Sequence, residues 1–341
     1  SSGLLLGWSL GANYGANVFG TAVGARMVSF KTAALISGVA VVLGSVLAGA
    51  GASHTLGALG GVDRVAGSFV VALAAGVTVF LMSRSGLPVS TSQAVVGALI
   101  GWNAFAQRET DAVVLARIVG SWVASPILTA FVAAAGYVLL KAWIRRRALH
   151  LLRADVYLRL GLILAGAFGA YSLGANNVAN VVGPFVDAVP LAPVPIAPGI
   201  ILGGEQQLYL LGGLAIALGI ATYSHRVMET VGRSLFRLTP EAAFVVVLSS
   251  AIVLFVFASE GLASLLAGWG LPQIPLVPVS STQAVVGGIV GIGLLRGGHG
   301  VRFRVLGEIA GSWVLTPIAA GVLCYVALFF MQNVFHQPVH G

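Results

Sequence analysis

Two short polar strings interrupt the long apolar segments of this chain. PVSTSQ occupies residues 88–93, and PVSSTQ occupies residues 278–283. A proline followed by hydroxyl side chains ahead of an apolar stretch is typical of the first turn of a helix. The free backbone N–H groups and the positive dipole end of such a turn attract oxyanions. The sequence therefore predicts two anion-binding helix starts. The candidate ligands are Ser90, Thr91, Ser92, Gln93, Ser280, Ser281, Thr282 and Gln283.

A second pair of strings carries asparagine. SLGANYGANVFG at residues 9–20 returns as SLGANNVANVVG at residues 172–183. An amide offers donors to an anion and an acceptor to a cation, and the outer asparagines of each string, four residues apart, share a helical face. We predict that both strings contribute to a ligand site. The candidates for the substrate are Asn13, Asn17, Asn176 and Asn180, and those for a cation are Asn13, Asn176 and Asn177.

Structural interpretations of these residues stay open. Ser and Thr at a helix start can serve as caps or packing groups only, and Asn can hydrogen-bond across a close helix crossing, to which the neighbouring Gly and Ala are suited. Duplication of each whole string, with Gln included in the hydroxyl strings, favours two half-sites that face each other.

The composition places these strings in a membrane. Hydrophobic residues make up 58% of the 341, charged residues 8%, and the mean hydropathy is +0.98. Apolar segments long enough to span recur along the chain, which predicts an all-α polytopic protein. We count about ten spans, within a range of 10–12. They lie near residues 4–24, 32–56, 65–83, 88–106, 112–140, 157–187, 200–223, 242–266, 276–295 and 305–332.

The repeated strings divide the chain into two units of five segments each. GSWVASP at residues 120–126 also recurs, as GSWVLTP at residues 311–317. An odd number of spans per unit would place the second unit upside down. Matched loops support this, because the loop with Arg26 and Lys31 is basic while its counterpart with Asp187 and Glu205 has no Lys or Arg. We therefore predict inverted repeats with discontinuous or re-entrant helices at the midplane.

The predicted organisation has three parts. The first repeat is residues 1–145, a basic cytoplasmic linker is residues 146–156, and the second repeat is residues 157–341 with a Pro-rich extracellular loop near 187–205. Both termini are then outside a prokaryotic cell membrane. The net charge of +8 sits mainly in short loops, so it indicates orientation and not nucleic-acid binding. No nucleophile with a base and no metal-ligand cluster stands out, which argues against an enzyme and a bound cofactor.

GANYGAN and GANNVAN resemble the duplicated GANDVAN signature of the inorganic phosphate transporter (PiT) family, and the two PVS strings resemble its second repeated motif. The resemblance covers nearly the whole chain, in the same order of blocks. It implies a secondary active transporter that imports phosphate by alternating access with sodium or protons, or sulfate in some bacterial branches. It also implies that both pairs of strings form the site. A homodimer is an option, and a passive anion channel is the alternative of another class.

One departure from the signature bears on the coupling ion. The acidic residue of the motif is replaced by Tyr14 in the first copy and by Asn177 in the second. Carboxylates are natural ligands of a hard cation such as sodium. Sodium is the one cofactor that we consider for this chain. Replacement of the carboxylates predicts weak sodium dependence, with any coupling supplied by protons.

Overall fold

The structure is a computed structural model that describes residues 2–24, 26–84, 89–147, 150–234, 239–297 and 303–341. Helices account for most of this part of the chain. In order, they are α1 Ser2–Gly24, α2 Phe30–Ala48, α3 Ala50–Gly60, α4 Val65–Arg84, α5 Thr91–Phe105, α6 Ala112–Arg147, α7 Leu151–Val182, α8 Gly204–Ser234, α9 Pro240–Val256, α10 Glu260–Gly268, α11 Ser281–Leu295 and α12 Phe303–Asn333. A short 3-10 turn, Gly183–Phe185, follows α7.

The long helices make this a multi-pass membrane protein. Within the described ranges, α2, α4, α6, α7, α8 and α12 are long and apolar enough to cross a membrane. The bent pair α9 and α10, which meet at 67°, would make a seventh span. Three of the predicted ten, α1, α5 and α11, are not among these seven, and two of the three are too short. At 15 residues, α5 and α11 each reach only about 22 Å of the roughly 30 Å hydrocarbon thickness.

These two short helices lie inside the bundle and not at its periphery. Twelve residues of α5 are buried, from Thr91 to Asn103 with one gap, and α11 is buried over its first turns. An extended segment, residues 271–280, leads into α11. Both hydroxyl strings therefore lie where extended backbone becomes helix within the protein interior, although Pro88 lies outside the described residues.

The two sequence repeats interlock. The most extensive packing of α1 is with α8 and that of α2 is with α7, while α5 packs on α12 and α6 on α11. Each of these four pairs thus combines a helix of the first repeat with a helix of the second. Of the predicted linker 146–156, the first two residues end α6 and the last six begin α7, and residues 148–149 lie outside the described part.

Glycines at equivalent positions make the closest interhelical contacts. A Cβ at Gly97 of α5 would overlap the carbonyl oxygen of Pro317, and a Cβ at Gly287 of α11 would overlap that of Pro126. Gly287 is the repeat counterpart of Gly97, and Pro126 is that of Pro317. The same contact therefore occurs twice between the halves. Glycine is required at both positions because the two backbones touch there.

The Pro-rich loop holds the exception to an all-helical chain. Strand β1, Val194–Ala197, pairs antiparallel with β2, Ile200–Leu202, and the turn between them uses Gly199 at φ 80°. Such a positive φ is open to glycine at little cost. Strand β1 is exposed along its whole length.

Candidate anion-binding site

The first residues of α5 and α11 form equivalent capped starts. Ser90 has extended backbone (φ −98°, ψ 112°), and its hydroxyl oxygen accepts a hydrogen bond from Gln93 N at 3.3 Å. Ser280 is also extended (φ −79°, ψ 111°) and accepts from Gln283 N at 3.3 Å. These two serines are therefore N-caps, as the structural interpretation of their positions expects. Capping fixes the direction of the remaining free N–H groups in each first turn.

The two helix starts bind each other through reciprocal hydrogen bonds. Ser92 Oγ donates to Val279 O at 3.3 Å, and Thr282 Oγ1 donates to Val89 O at 3.4 Å. Thr282 is the repeat counterpart of Ser92, as Val279 is of Val89. Each hydroxyl therefore holds the backbone just before the opposite helix. The structure brings the two predicted half-sites together.

Asn176 fixes the approach to α11. Its Nδ2 donates to Val277 O at 3.0 Å, and its Oδ1 accepts from Val279 N at 2.8 Å. The amide spans a stretch of backbone that has no helical partner, which satisfies two buried main-chain groups at once. Asn176 is fully buried and serves as a clamp in this conformation, with both ends of its amide engaged.

A hydrogen-bonded chain of side chains crosses the interface between the repeats. Tyr14 donates from its hydroxyl to Asn177 Oδ1 at 3.3 Å. Asn180 Nδ2 donates to the same Asn177 oxygen at 3.1 Å and to Ser92 Oγ at 3.0 Å. The Tyr14 hydroxyl also lies near Thr91 and Ser281, which are equivalent residues of the two hydroxyl strings. The chain therefore connects α1, α7, α5 and the start of α11.

Several polar atoms beside this chain have no hydrogen bond of normal geometry to any described residue. They are Gln93 Oε1, Gln283 Oε1, Asn177 Nδ2, Asn180 Oδ1 and Ser281 Oγ. A buried polar atom without a partner costs about 1–3 kcal/mol. The free-energy cost of five such atoms in one region is large if their only role is packing. They are the donors and acceptors expected of a region that binds a polar ligand.

The region is electrically neutral. Among the described residues, the buried polar side chains are all Ser, Thr, Asn or Gln, with no Asp, Glu, Lys or Arg. An anion bound here is compensated by the N-terminal ends of α5 and α11 and by amide and hydroxyl donors, or by a cation bound with it. No group of three acidic, His or Cys side chains suited to a metal ion occurs in the described part of the chain.

The first asparagine string is placed differently from the second. Asn13 Nδ2 donates to Ser9 O at 3.0 Å on its own helix, and Asn13 and Asn17 are only partly buried. No hydrogen bond in the described contacts joins Asn13 to Asn176 or Asn177. The three candidate cation ligands thus have different hydrogen-bond partners in this conformation. Asn176 and Asn180 of the second string contact the helix starts.

Tyr14 belongs to the site, although sequence reasoning treated it only as the replacement of an acid. It is 3% exposed and touches both hydroxyl strings. The signal was present in the repeat itself, because Tyr14 and Asn177 are equivalent positions of two strings that are predicted to face each other.

The chain is similar to members of one protein family. A profile of the phosphate transporter family matches residues 10–324. A "putative phosphate permease" of Pyrococcus horikoshii is 28% identical over 94% of this chain and 94% of its own. One of Methanocaldococcus jannaschii is 28% identical, with 93% of this chain and 91% of the relative covered. One of Chlamydia trachomatis is 27% identical over 98% and 97%.

A solved structure shares the fold. It is titled "The sodium-dependent phosphate transporter", superposes with a TM-score of 0.75, and is 24% identical with 98% of both chains covered. Its polytopic helical architecture is therefore that of the present chain. The family profile extends from the first asparagine string into α12, so that both pairs of repeated strings fall within it. On this match, the chain belongs to the phosphate transporter family.

Proposed function

We propose that this protein is a secondary active transporter that imports inorganic phosphate across the cell membrane. The observation that carries the proposal is the meeting of two equivalent, capped helix starts in a buried neutral region with unpartnered polar atoms. A tetrahedral oxyanion fits such a place because it can accept hydrogen bonds from both helix starts at once. Family membership supports the same substrate.

Asn180 favours phosphate over sulfate. Its NH2 group is fixed by two hydrogen bonds, so that the amide oxygen of Asn180 is an acceptor and has no described partner. Phosphate keeps at least one O–H at neutral pH and can donate to this oxygen. Sulfate has no proton to donate, and it would leave the acceptor buried and unpaired. A site built around a donor on the substrate discriminates strongly against an analogue that lacks it.

The matched contacts of the repeats support transport by alternating access between inverted repeats. Ser92 with Val279 and Thr282 with Val89 are interchangeable by the repeat relation, as are Gly97 with Pro317 and Gly287 with Pro126. Two halves of equal structure can exchange conformations and open the shared site to each side in turn. The loop charges support an orientation with both termini outside and the basic linker in the cytoplasm.

Coupling is to a cation, with protons favoured over sodium. The buried region offers amide and carbonyl oxygens but no described carboxylate, so a hard cation finds few of its preferred ligands. A proton can travel on phosphate itself as H2PO4⁻, and Asn180 Oδ1 is placed to accept that proton's hydrogen bond.

The test is uptake of labelled phosphate and labelled sulfate into proteoliposomes of the purified protein, under imposed pH or sodium gradients. We expect accumulation of phosphate above its outside concentration, driven by a pH gradient and reduced in Ser281→Ala. Val314→Ala on the exposed face of α12 is the control and should transport normally. Flux that never exceeds equilibration would identify a passive channel, and preferential accumulation of sulfate would overturn the substrate assignment.

A further inference from the structure

An apolar groove lies between α6 and α11 on the surface of the bundle, and three residues of α12 also line it. It encloses about 640 Å³, and its walls are almost entirely carbon. Phe131 and Ile127 of α6 form one side, and Val290 and Leu294 of α11 form the other. Phe131 and Ile127 are among the most exposed apolar side chains, as expected of a surface that faces lipid.

A basic pocket of about 560 Å³ closes one end of this groove. Leu295 lines both, so the pocket and the groove are adjacent. Three cations line the pocket, Lys141, Arg145 and Arg296, against the single carboxylate of Glu241. No carboxylate lies within ion-pair distance of these cations among the described residues. The pocket therefore has an excess of positive charge that the protein itself does not neutralise.

Tyr137 organises two of these cations. The Arg296 guanidinium donates to the Tyr137 hydroxyl and stands 4.8 Å from its ring centre, and Lys141 Nζ stands 5.3 Å from the same ring. Cation–π contacts of this kind hold charged groups in place without removing their charge. The positive groups are consequently positioned at the pocket while their remaining N–H donors stay free for an anion.

The equivalent pair of helices, α5 and α12, forms a similar groove without the charges. Between α5 and α12, Gly97, Ile100, Pro317 and Val322 line an apolar groove of about 440 Å³. Its end lacks a basic cluster, because the counterparts of Lys141, Arg145 and Arg296 are Gln332, His336 and Ala106. Packing of the repeats therefore does not require the three cations. Membrane orientation does not require them either, since exposed Arg146 and Arg147 follow on the same helix.

We propose that the α6–α11 groove is a binding site for one anionic phospholipid. Lys141, Arg145 and Arg296 bind the headgroup phosphate, and an acyl chain lies along Phe131, Val290 and Leu294. Basic pockets between transmembrane helices at the cytoplasmic surface suit such headgroups. From Lys141 to Pro126 the groove follows 15 residues of helix, about 22 Å, which accommodates a chain within one leaflet of roughly 15 Å. Glu241 can accept a hydrogen bond from a glycerol headgroup.

The site has a direct mechanical connection to α11, whose first turn belongs to the candidate anion-binding site. A lipid bound at Arg296 holds the far end of the same 15-residue helix. The proposal does not depend on the identity of the transported anion, and its test needs no transport measurement.

The test measures lipid binding to the full chain in detergent. Phosphatidylglycerol or phosphatidylcholine is titrated into the delipidated protein, with bound lipid counted by native mass spectrometry and Tm recorded. We expect one tightly held phosphatidylglycerol and a raised Tm, with little effect of phosphatidylcholine. The triple variant Lys141→Gln, Arg145→Gln, Arg296→Gln should weaken binding at least tenfold. The control pair Arg146→Gln, Arg147→Gln should keep it, because those residues do not line the pocket.

A second variant keeps the test decisive if the triple variant folds poorly. Ala134→Trp fills the apolar groove and leaves every charge in place. It should also lose the bound lipid. Equal stabilisation by phosphatidylcholine, equal loss in the control pair, retention of the lipid by Ala134→Trp, or displacement of the lipid by millimolar inorganic phosphate would each overturn the proposal.

Discussion

Replacement of Ser281 by alanine should move stability and phosphate affinity in opposite directions. Ser281 is 1% exposed, and its hydroxyl has no hydrogen bond of normal geometry to a described residue. Removing this buried hydroxyl recovers part of its desolvation cost of about 1–3 kcal/mol, less its contact with the Tyr14 hydroxyl and the small void that it leaves. We therefore expect the ligand-free protein to be unchanged or more stable by up to about 1 kcal/mol.

Phosphate binding should weaken in the same variant. A hydrogen bond to a charged group contributes about 1.5–3 kcal/mol, which corresponds to roughly a ten- to hundredfold rise in Kd. The matched comparison is Ser280→Ala, one residue earlier. That serine caps α11 through Gln283 N, so its loss should cost about 0.5–2 kcal/mol of stability while the backbone N–H donors to the anion remain.

The assay is thermal unfolding of the purified protein without phosphate, followed by equilibrium binding of labelled phosphate to both variants. The wild-type chain should gain more in Tm from saturating phosphate than Ser281→Ala does. If Ser281→Ala destabilises the protein as much as Ser280→Ala does and leaves Kd unchanged, then the Ser281 hydroxyl is a packing group and the anion binds elsewhere.

Three further predictions follow from the same geometry. Asn177→Asp should either create sodium dependence or depress uptake by repelling the anion, and sodium-driven uptake by the unmodified protein, measured in proteoliposomes, would contradict the expectation of proton coupling. Gly287→Ala should lower Tm and activity because its Cβ meets the Pro126 carbonyl, whereas Gly311→Ala, with open space around it, should be neutral or stabilising; equal effects would refute the close contact. Cysteines at Arg26 and Asp187, which lie in matched loops of the two repeats, should be labelled from opposite sides of intact cells, and labelling from the same side would exclude the inverted arrangement.

Much of the site could be predicted from the sequence because each of its polar strings occurs twice in the chain. The PVS strings predict helix starts at residues that the structure places at the N-termini of α5 and α11. Their convergence was also predictable, since two copies of one polar string in an apolar chain need each other's hydrogen-bonding groups. The burial of all eight hydroxyl and amide side chains agrees with this expectation.

The sequence could not predict which polar groups are already used within the protein. Ser90 and Ser281 have the same side chain in near-identical strings, yet one caps a helix and the other is unpartnered. The difference arises because Ser90 is the N-cap residue of α5, whereas Ser281 is the first residue of α11 after the N-cap. Asn13 and Asn176 likewise occupy equivalent positions, but only Asn176 clamps backbone across the interface in this conformation. The local sequences around Asn13 and Asn176 are nearly the same, so for this pair the tertiary surroundings decide.

The pair formed by Tyr14 and Asn177 connects the departure from the family signature to the chemistry of the site. Two carboxylates at these adjacent positions would repel each other, by about 4 kcal/mol at 4 Å with an effective dielectric constant near 20, and would need a cation between them. In this chain the Tyr14 hydroxyl donates to the Asn177 oxygen at 3.3 Å, so the two groups satisfy each other directly. The same bond turns Asn177 Nδ2, which has no described partner, away from Tyr14. This neutral pair needs no cation between its members and leaves an amide donor unused, and it is the observation behind our proposal of proton coupling over sodium coupling.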